Sequence, residues 1–120
     1  MSAESRALHV HLDGDGSAAV LTVDGEVDAA SAPQLQSGIE DALGKKPALL
    51  VVDLSSVRFF GSAGLSVLLS AAEASAKGGF RVVASAQVRR PIEVTGLDKV
   101  LEVFGNLRDA LTPGDTPNVA

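Results

Sequence analysis

The spacing of apolar residues changes repeatedly along this chain, and each change marks an element. Leu8, Val10 and Leu12 alternate with His9, His11 and Asp13, the signature of a half-buried strand over residues 7–13. Gly14-Asp15-Gly16-Ser17 is turn chemistry, with glycines free to take positive φ. Residues 18–24 (AAVLTVD) then form the hairpin partner, closed by Gly25-Glu26-Val27-Asp28. The period next becomes helical, with Leu35, Ile39, Ala42 and Leu43 on one stripe. Ser31 and Gln34 read as a capping box and Pro33 falls in the first turn. Gly44 ends the helix and Pro47 forbids its continuation.

Residues 48–52 (ALLVV) follow neither period. An unbroken apolar run of this length predicts a central strand, covered on both faces or deep in a sheet. Asp53-Leu54-Ser55-Ser56 reads as a polar turn after it. Phe59 and Phe60 precede a cluster of small residues, Gly61-Ser62-Ala63-Gly64, and a helix opens at Ser62 with Leu65, Leu68, Leu69, Ala72 and Ala76 on one side. Gly78-Gly79 terminates that helix. A short strand over 80–84, a helix over 88–95 ending at Gly96, a last edge strand over 100–104 and a capped turn or two over 106–111 complete the pattern.

The order β-β-α-β-α-β-α-β-α predicts an α/β fold: a mostly parallel mixed sheet with right-handed crossovers and one antiparallel hairpin at the start. With no repeat and no linker, residues 1–111 form one domain, ordered from about residue 6, and the proline-containing tail over 112–120 is expected to be disordered. In such sheets functional groups gather beyond the carboxyl ends of the strands. That edge carries residues 25–28 and 59–64.

Composition narrows the function. The chain has 120 residues, 46% of them hydrophobic, enough for a core, and no apolar run near the ~20 residues that span a bilayer. The N-terminus shows no charged-then-apolar leader, so a cytoplasmic protein without membrane contact is expected. The absence of cysteine excludes disulfides, thiol catalysis and thiolate metal sites. A net charge of -5, with scattered Lys and Arg and only 3% aromatics, argues against nucleic-acid binding. Nothing in the pattern calls for a cofactor, or for more than a monomer or weak dimer.

Ser62 is the candidate around which the edge is built. As a phosphoacceptor it lies at the positive end of a helix dipole, where a charge of about -1.5 to -2 is tolerated. The plainer explanation, an N-cap worth ~1 kcal/mol, is common for a serine at this position. Gly64 tilts the balance, because a glycine in the first turn costs up to ~1 kcal/mol against alanine and a cap does not ask for it. Gly61, Ala63 and Gly64 leave Ser62 open to a second protein. Of Phe59 and Phe60, one is expected in the core and the other in an exposed contact patch. Glu26 and Asp28 share this edge, either as a solvated loop in which Asp28 assists the first helix or as groups that meet an approaching partner.

Enzyme readings fare badly. No Gly-Lys-Ser/Thr follows the small cluster, so it is not a phosphate loop, and Phe60 stands where a nucleophile elbow needs glycine. The only histidines, His9 and His11, lie on the first strand, so no base is in prospect for Ser62. With Asp13 they share a strand face, which a solvated edge explains better than a metal site. A serine hydrolase would label with an acylating probe, and none is expected here.

Taken together, Gly25-Glu26-Val27-Asp28, Ser31-Ala32-Pro33, Val51-Val52-Asp53-Leu54, Phe59-Phe60-Gly61-Ser62-Ala63-Gly64-Leu65, Val88-Arg89-Arg90-Pro91 and Thr95-Gly96-Leu97-Asp98 resemble the STAS domain, and within it the bacterial anti-sigma factor antagonists. The resemblance spans residues 8–111 in order. It implies that Ser62 matches the serine phosphorylated by an anti-sigma factor serine kinase using ATP, and that a phosphatase restores it. It implies that the unmodified protein binds the ATP- or ADP-bound kinase and frees a sigma factor. Asp28 matches the acidic residue of a G-E-x-D loop beside the acceptor, and Gly64 and Leu65 match the residues after it. Glu26, Asp28, Phe60, Gly61, Ala63, Gly64 and Leu65 are thus the expected partner-binding residues. The chain departs from the pattern at Gly61, where the family often has Asp, and at Ala63, where it often has Ser. Ser62 is left as the only hydroxyl in the turn. The alternative within the same fold is a scaffold or transport-accessory module without regulated phosphorylation.

Overall fold

Strand and helix alternate in a computed structural model that describes residues 8–14, 17–75 and 79–112. The elements are β1 (His9–Gly14), β2 (Ala18–Val27), α1 (Ala32–Gly44), β3 (Leu49–Phe60), α2 (Ser62–Ala74), β4 (Phe80–Val83), α3 (Ala86–Val94), a 3-10 turn (Leu97–Lys99), β5 (Glu102–Phe104) and α4 (Leu107–Leu111). The sheet order is β1-β2-β3-β4-β5, antiparallel between β1 and β2 and parallel elsewhere. This is the expected α/β class with its mixed sheet.

Sequential parallel strands joined by crossovers of one hand must carry all their helices on one face. The packing agrees. Leu35 and Ile39 of α1, Leu65 and Leu68 of α2 and Val88 and Ile92 of α3 share one buried cluster with Leu21, Val23, Leu50, Val52 and Leu54. Only α4, which follows the last strand, is free to cover the other face. There Ala110 packs with Val51, Val83 and Phe104. Residues 50–52 are therefore buried from both sides, as an apolar run in the central strand requires.

Arg81 ties α4 down. It is 7% exposed on β4. Its Nε donates to Glu102 Oε1 at 3.2 Å, and its Nη1 donates to the carbonyls of Ala110 at 2.8 Å and Thr112 at 3.1 Å. Its guanidinium lies 5.3 Å from the centre of the Phe104 ring. Asn106 caps α4 as its sequence position suggests, Oδ1 accepting from Asp109 N at 2.8 Å.

Several boundaries differ from expectation. The largest difference is β3, which does not stop at residue 52. Asp53-Leu54-Ser55-Ser56 is strand, although Asp53 Oδ1 accepts from Ser55 N at 3.0 Å and from Ser55 Oγ at 2.7 Å, as in a turn. Pairing with β2 slips between Thr22 and Asp24 and again between Gly25 and Glu26, so β3 carries two bulges. Each adds one residue, and the inward positions become Leu54, Val57 and Phe60, a period of three that neither a plain strand nor a helix has. Gly25, buried with φ 119, accommodates the second slip. For the same reason β2 runs on to Val27 instead of closing at Gly25. Gly14 belongs to β1 and has no positive φ, and its turn mate Gly16 lies outside the described residues. The left-handed residue after α1 is Lys46, with φ 56, not Gly44. In α2, Val67 and Ala71 are buried while Leu69 and Ala72 are half-buried. Ala76, Gly78 and the tail from residue 113 lie outside the described residues. The helix expected over 88–95 spans 86–94, and a 3-10 turn takes the first residues expected in β5. No helix among the described residues is long and apolar enough to cross a membrane.

Candidate functional site

The carboxyl ends of β2 and β3 meet because their registers end together, Glu26 opposite Phe59 and Val27 opposite Phe60. The chain then turns into α2. Gly61 N donates to Val27 O at 2.9 Å, which fastens the turn to the end of β2. Gly61 is the N-cap of α2, in extended conformation, and Ser62 is the first helical residue. The expectation that Ser62 caps the helix is thus corrected. Glycine has no side chain to cap with, and Gly61 O accepts from Gly64 N at 3.0 Å and Leu65 N at 3.2 Å. The N–H groups of Ser62 and Ala63 find no acceptor among the described residues, and neither does the Ser62 hydroxyl, which is exposed. An exposed hydroxyl beside two free N–H donors at the positive end of a helix can accept a group carrying negative charge.

The small residues have a different reason from the one expected. A methyl on Gly64 would lie 2.7 Å from Val27 Cγ1 and 2.8 Å from Phe60 Cζ, so glycine is needed for α2 to approach β2 and β3. Phe60 is 5% exposed and Leu65 7% exposed. Phe60, Gly64 and Leu65, expected at a partner surface, are interior and shape the edge from beneath. The ring that reaches solvent is Phe59, 53% exposed. No spacing rule could have separated the two phenylalanines, because the bulges decide which one turns inward. Glu26, Gly61 and Ala63 are half-buried at the rim.

Asp28 serves α1. Its Oδ1 accepts from Ala30 N and Ser31 N, both at 3.0 Å, and from Ser31 Oγ at 3.1 Å. The Ser31 hydroxyl also reaches Glu26 O at 2.8 Å and accepts from Asp28 N at 3.0 Å. No capping box forms: Ser31 makes no side-chain cap bond, and Gln34 Nε2 instead donates to Leu8 O at 2.7 Å, linking α1 to the residue before β1. The Ser31 backbone N–H, then its hydroxyl, hold the Asp28 carboxyl below the usual carboxylate range. A carboxyl whose folded pKa is depressed stabilises the fold above its unfolded pKa of about 3.9, and the contribution is lost as pH falls through the folded value. Asp28→Asn should therefore lower Tm at pH 7, and the deficit should shrink below about pH 4. Melts from pH 7 to pH 3 that show a constant difference would contradict this assignment.

His9 and His11 are exposed on β1, facing away from Val10 and Leu12, with β2 between that strand and the Ser62 edge.

Comparison with known proteins gives this geometry its relatives. Residues 9–110 match the STAS domain. The anti-sigma-F factor antagonist RsfB of Mycobacterium tuberculosis is 44% identical over 96 residues, covering 78% of this chain and 79% of the relative. A crystal structure of an anti-sigma factor antagonist from Mycobacterium paratuberculosis superposes with a TM-score of 0.83 at 39% identity, over 88% of this chain and 92% of the other. The Bacillus cell fate determinant SpoIIAA in its phosphorylated form shares the fold alone, with a TM-score of 0.58 at 18% identity over 80% and 91% of the two chains. A match that runs from β1 into α4, with relatives of this identity over most of both chains, means that the chain belongs to the STAS domain family.

Proposed function

We propose that this protein is a cytoplasmic anti-sigma factor antagonist, a switch without catalysis of its own that is set by phosphorylation of Ser62. The observation that carries the reading is the Ser62 position itself: an exposed, unbonded hydroxyl on the first residue of α2, next to two free N–H groups. The likeness to RsfB supports the antagonist role. Unmodified, the edge formed by Glu26, Phe59, Gly61, Ser62 and Ala63 docks on an anti-sigma factor with serine kinase activity, and a sigma factor is freed. In the complex the Ser62 oxygen attacks the γ-phosphorus of ATP. The new O–P bond forms as the bond to the β-phosphate oxygen breaks, ADP leaves, and the serine proton passes to a base of the kinase. The added dianion carries a hydration shell that must be stripped at the interface, so the complex separates. A phosphatase returns the hydroxyl.

Ser62→Glu should weaken binding to the cognate anti-sigma factor by at least about 100-fold, since a carboxylate desolvated at an interface without a partner costs several kcal/mol. Ser62→Ala should bind as the parent does and gain no phosphate. Titration calorimetry and mass spectrometry after incubation with the kinase and ATP test both statements. Equal binding by the two variants would sink the switch.

A further inference from the structure

We infer that Phe59 is the anchor side chain through which the kinase acting on Ser62 grips this protein, and through which the modification state of Ser62 is read. The inference rests on the phospho-switch reading and names the contact that makes it work. Single exposed apolar residues are ordinary on protein surfaces, and Val94 at 75% and Val100 at 58% are more exposed than Phe59. What separates Phe59 is its position. A methyl built on Gly61 would lie 3.3 Å from Phe59 Cε2 and 3.5 Å from Cζ, so the ring lies across the residue that precedes Ser62. Gly61 is itself fixed, by its bond to Val27 O at 2.9 Å and by the two α2 N–H groups on its carbonyl.

Phosphoryl transfer requires the Ser62 oxygen to come within about 3–3.5 Å of the phosphorus in the kinase cleft. A cleft that takes Ser62 must then cover the Phe59 ring. A large aromatic with two rotatable side-chain bonds, held against backbone, is the kind of group that dominates interface energetics. Its register partner on β2 is Glu26, a half-buried carboxyl, so the ring has an acidic neighbour. The partner surface that fits is an apolar pocket flanked by a basic side chain. A phosphate on Ser62 would stand beside this ring and bring its hydration shell with it, which prevents the ring from entering a dry pocket.

The experiment uses the full chain and each anti-sigma factor of the source organism, purified and loaded with ATP. Binding and the rate of Ser62 phosphorylation are measured for the parent, Phe59→Ala, Phe59→Leu and Gly61→Ala, with a thermal melt of each. Phe59→Ala should lose about 10- to 100-fold in affinity, mostly as a raised KM for phosphorylation with kcat retained, while its melt stays near that of the parent. Phe59→Leu should recover part of the loss. Gly61→Ala, which displaces the ring without removing it, should fall between. If the parent is bound and phosphorylated and Phe59→Ala matches it within twofold, the anchor is refuted and the switch stands. If no kinase binds or modifies the parent, the switch reading fails and the anchor fails with it.

Discussion

Replacing Arg81 with alanine should destabilise the protein by about 3 kcal/mol, a large share of the roughly 5–15 kcal/mol available to a domain. The estimate follows from what the guanidinium leaves behind. Two carbonyls, of Ala110 and Thr112, lose a charged donor, and each unmet acceptor costs about 1–3 kcal/mol. Glu102 loses its partner, but its side chain is 34% exposed and water replaces part of the interaction. The total therefore falls at or below the about 3–5 kcal/mol lost when a buried pair is halved. The contact with the Phe104 ring adds to the loss. Since α4 spans only Leu107–Leu111, it is too short to persist unaided, and its amides should exchange first. Urea unfolding with hydrogen exchange measures both. A loss under about 1 kcal/mol would show that α4 is held by Ala110 and its apolar neighbours alone.

The second large effect is expected at Gly64, and there two terms oppose each other. Alanine in a helix is favoured over glycine by up to about 1 kcal/mol. The added methyl, however, would lie 2.7 Å from Val27 Cγ1 and 2.8 Å from Phe60 Cζ. Val27 is β-branched and 0% exposed, and Phe60 is buried, so neither moves freely. Overpacking of this kind costs about 1–3 kcal/mol. Overpacking wins, and Gly64→Ala should lower Tm by roughly 5–10 °C. Gly44→Ala is the control: nothing lies within 4 Å of the new methyl, so its Tm should hold or rise. A Tm for Gly64→Ala at or above that of the parent would mean that α2 can shift away from β2. The same shift would move Val27 O, the acceptor that holds Gly61, so the variant should also be phosphorylated more slowly.

Much of this arrangement can be read from residue order. The alternation of Leu8, Val10 and Leu12, the stripe on α1, the apolar run at 48–52 (buried over 50–52, with Ala48 exposed before β3), Gly96 as a helix stop and Asn106 as a cap are local features, and each follows from local physics. The meeting of residues 25–28 with 59–62 follows from parallel topology. What escaped is non-local. Ser31 has the sequence context of a cap, but Gln34 N already bonds to Ser31 O at 3.0 Å and the Ser31 hydroxyl turns back to Glu26 O. Gln34 has the context of a capping-box partner, but Leu8, just before β1, offers it a carbonyl. Asp53-Leu54-Ser55-Ser56 has turn chemistry and makes a turn-like bond, inside a strand whose pairing with β2 overrides it.

The bulges of β3 also set a length. Six residues of β2, Thr22 to Val27, face eight of β3, Asp53 to Phe60. A regular strand would advance about 3.3 Å per residue, so without the bulges the same eight residues would overshoot the end of β2 by roughly 6–7 Å. Because two residues are absorbed rather than one, the alternation of faces is restored at Phe60, which still points into the core. Removing one residue from each bulge would leave six residues facing six and still end level with Val27, whereas straightening both bulges at full length would carry Ser62 past its reach. The position of Ser62 against the end of β2 is therefore metered by an even number of insertions in a strand that lies outside the turn itself.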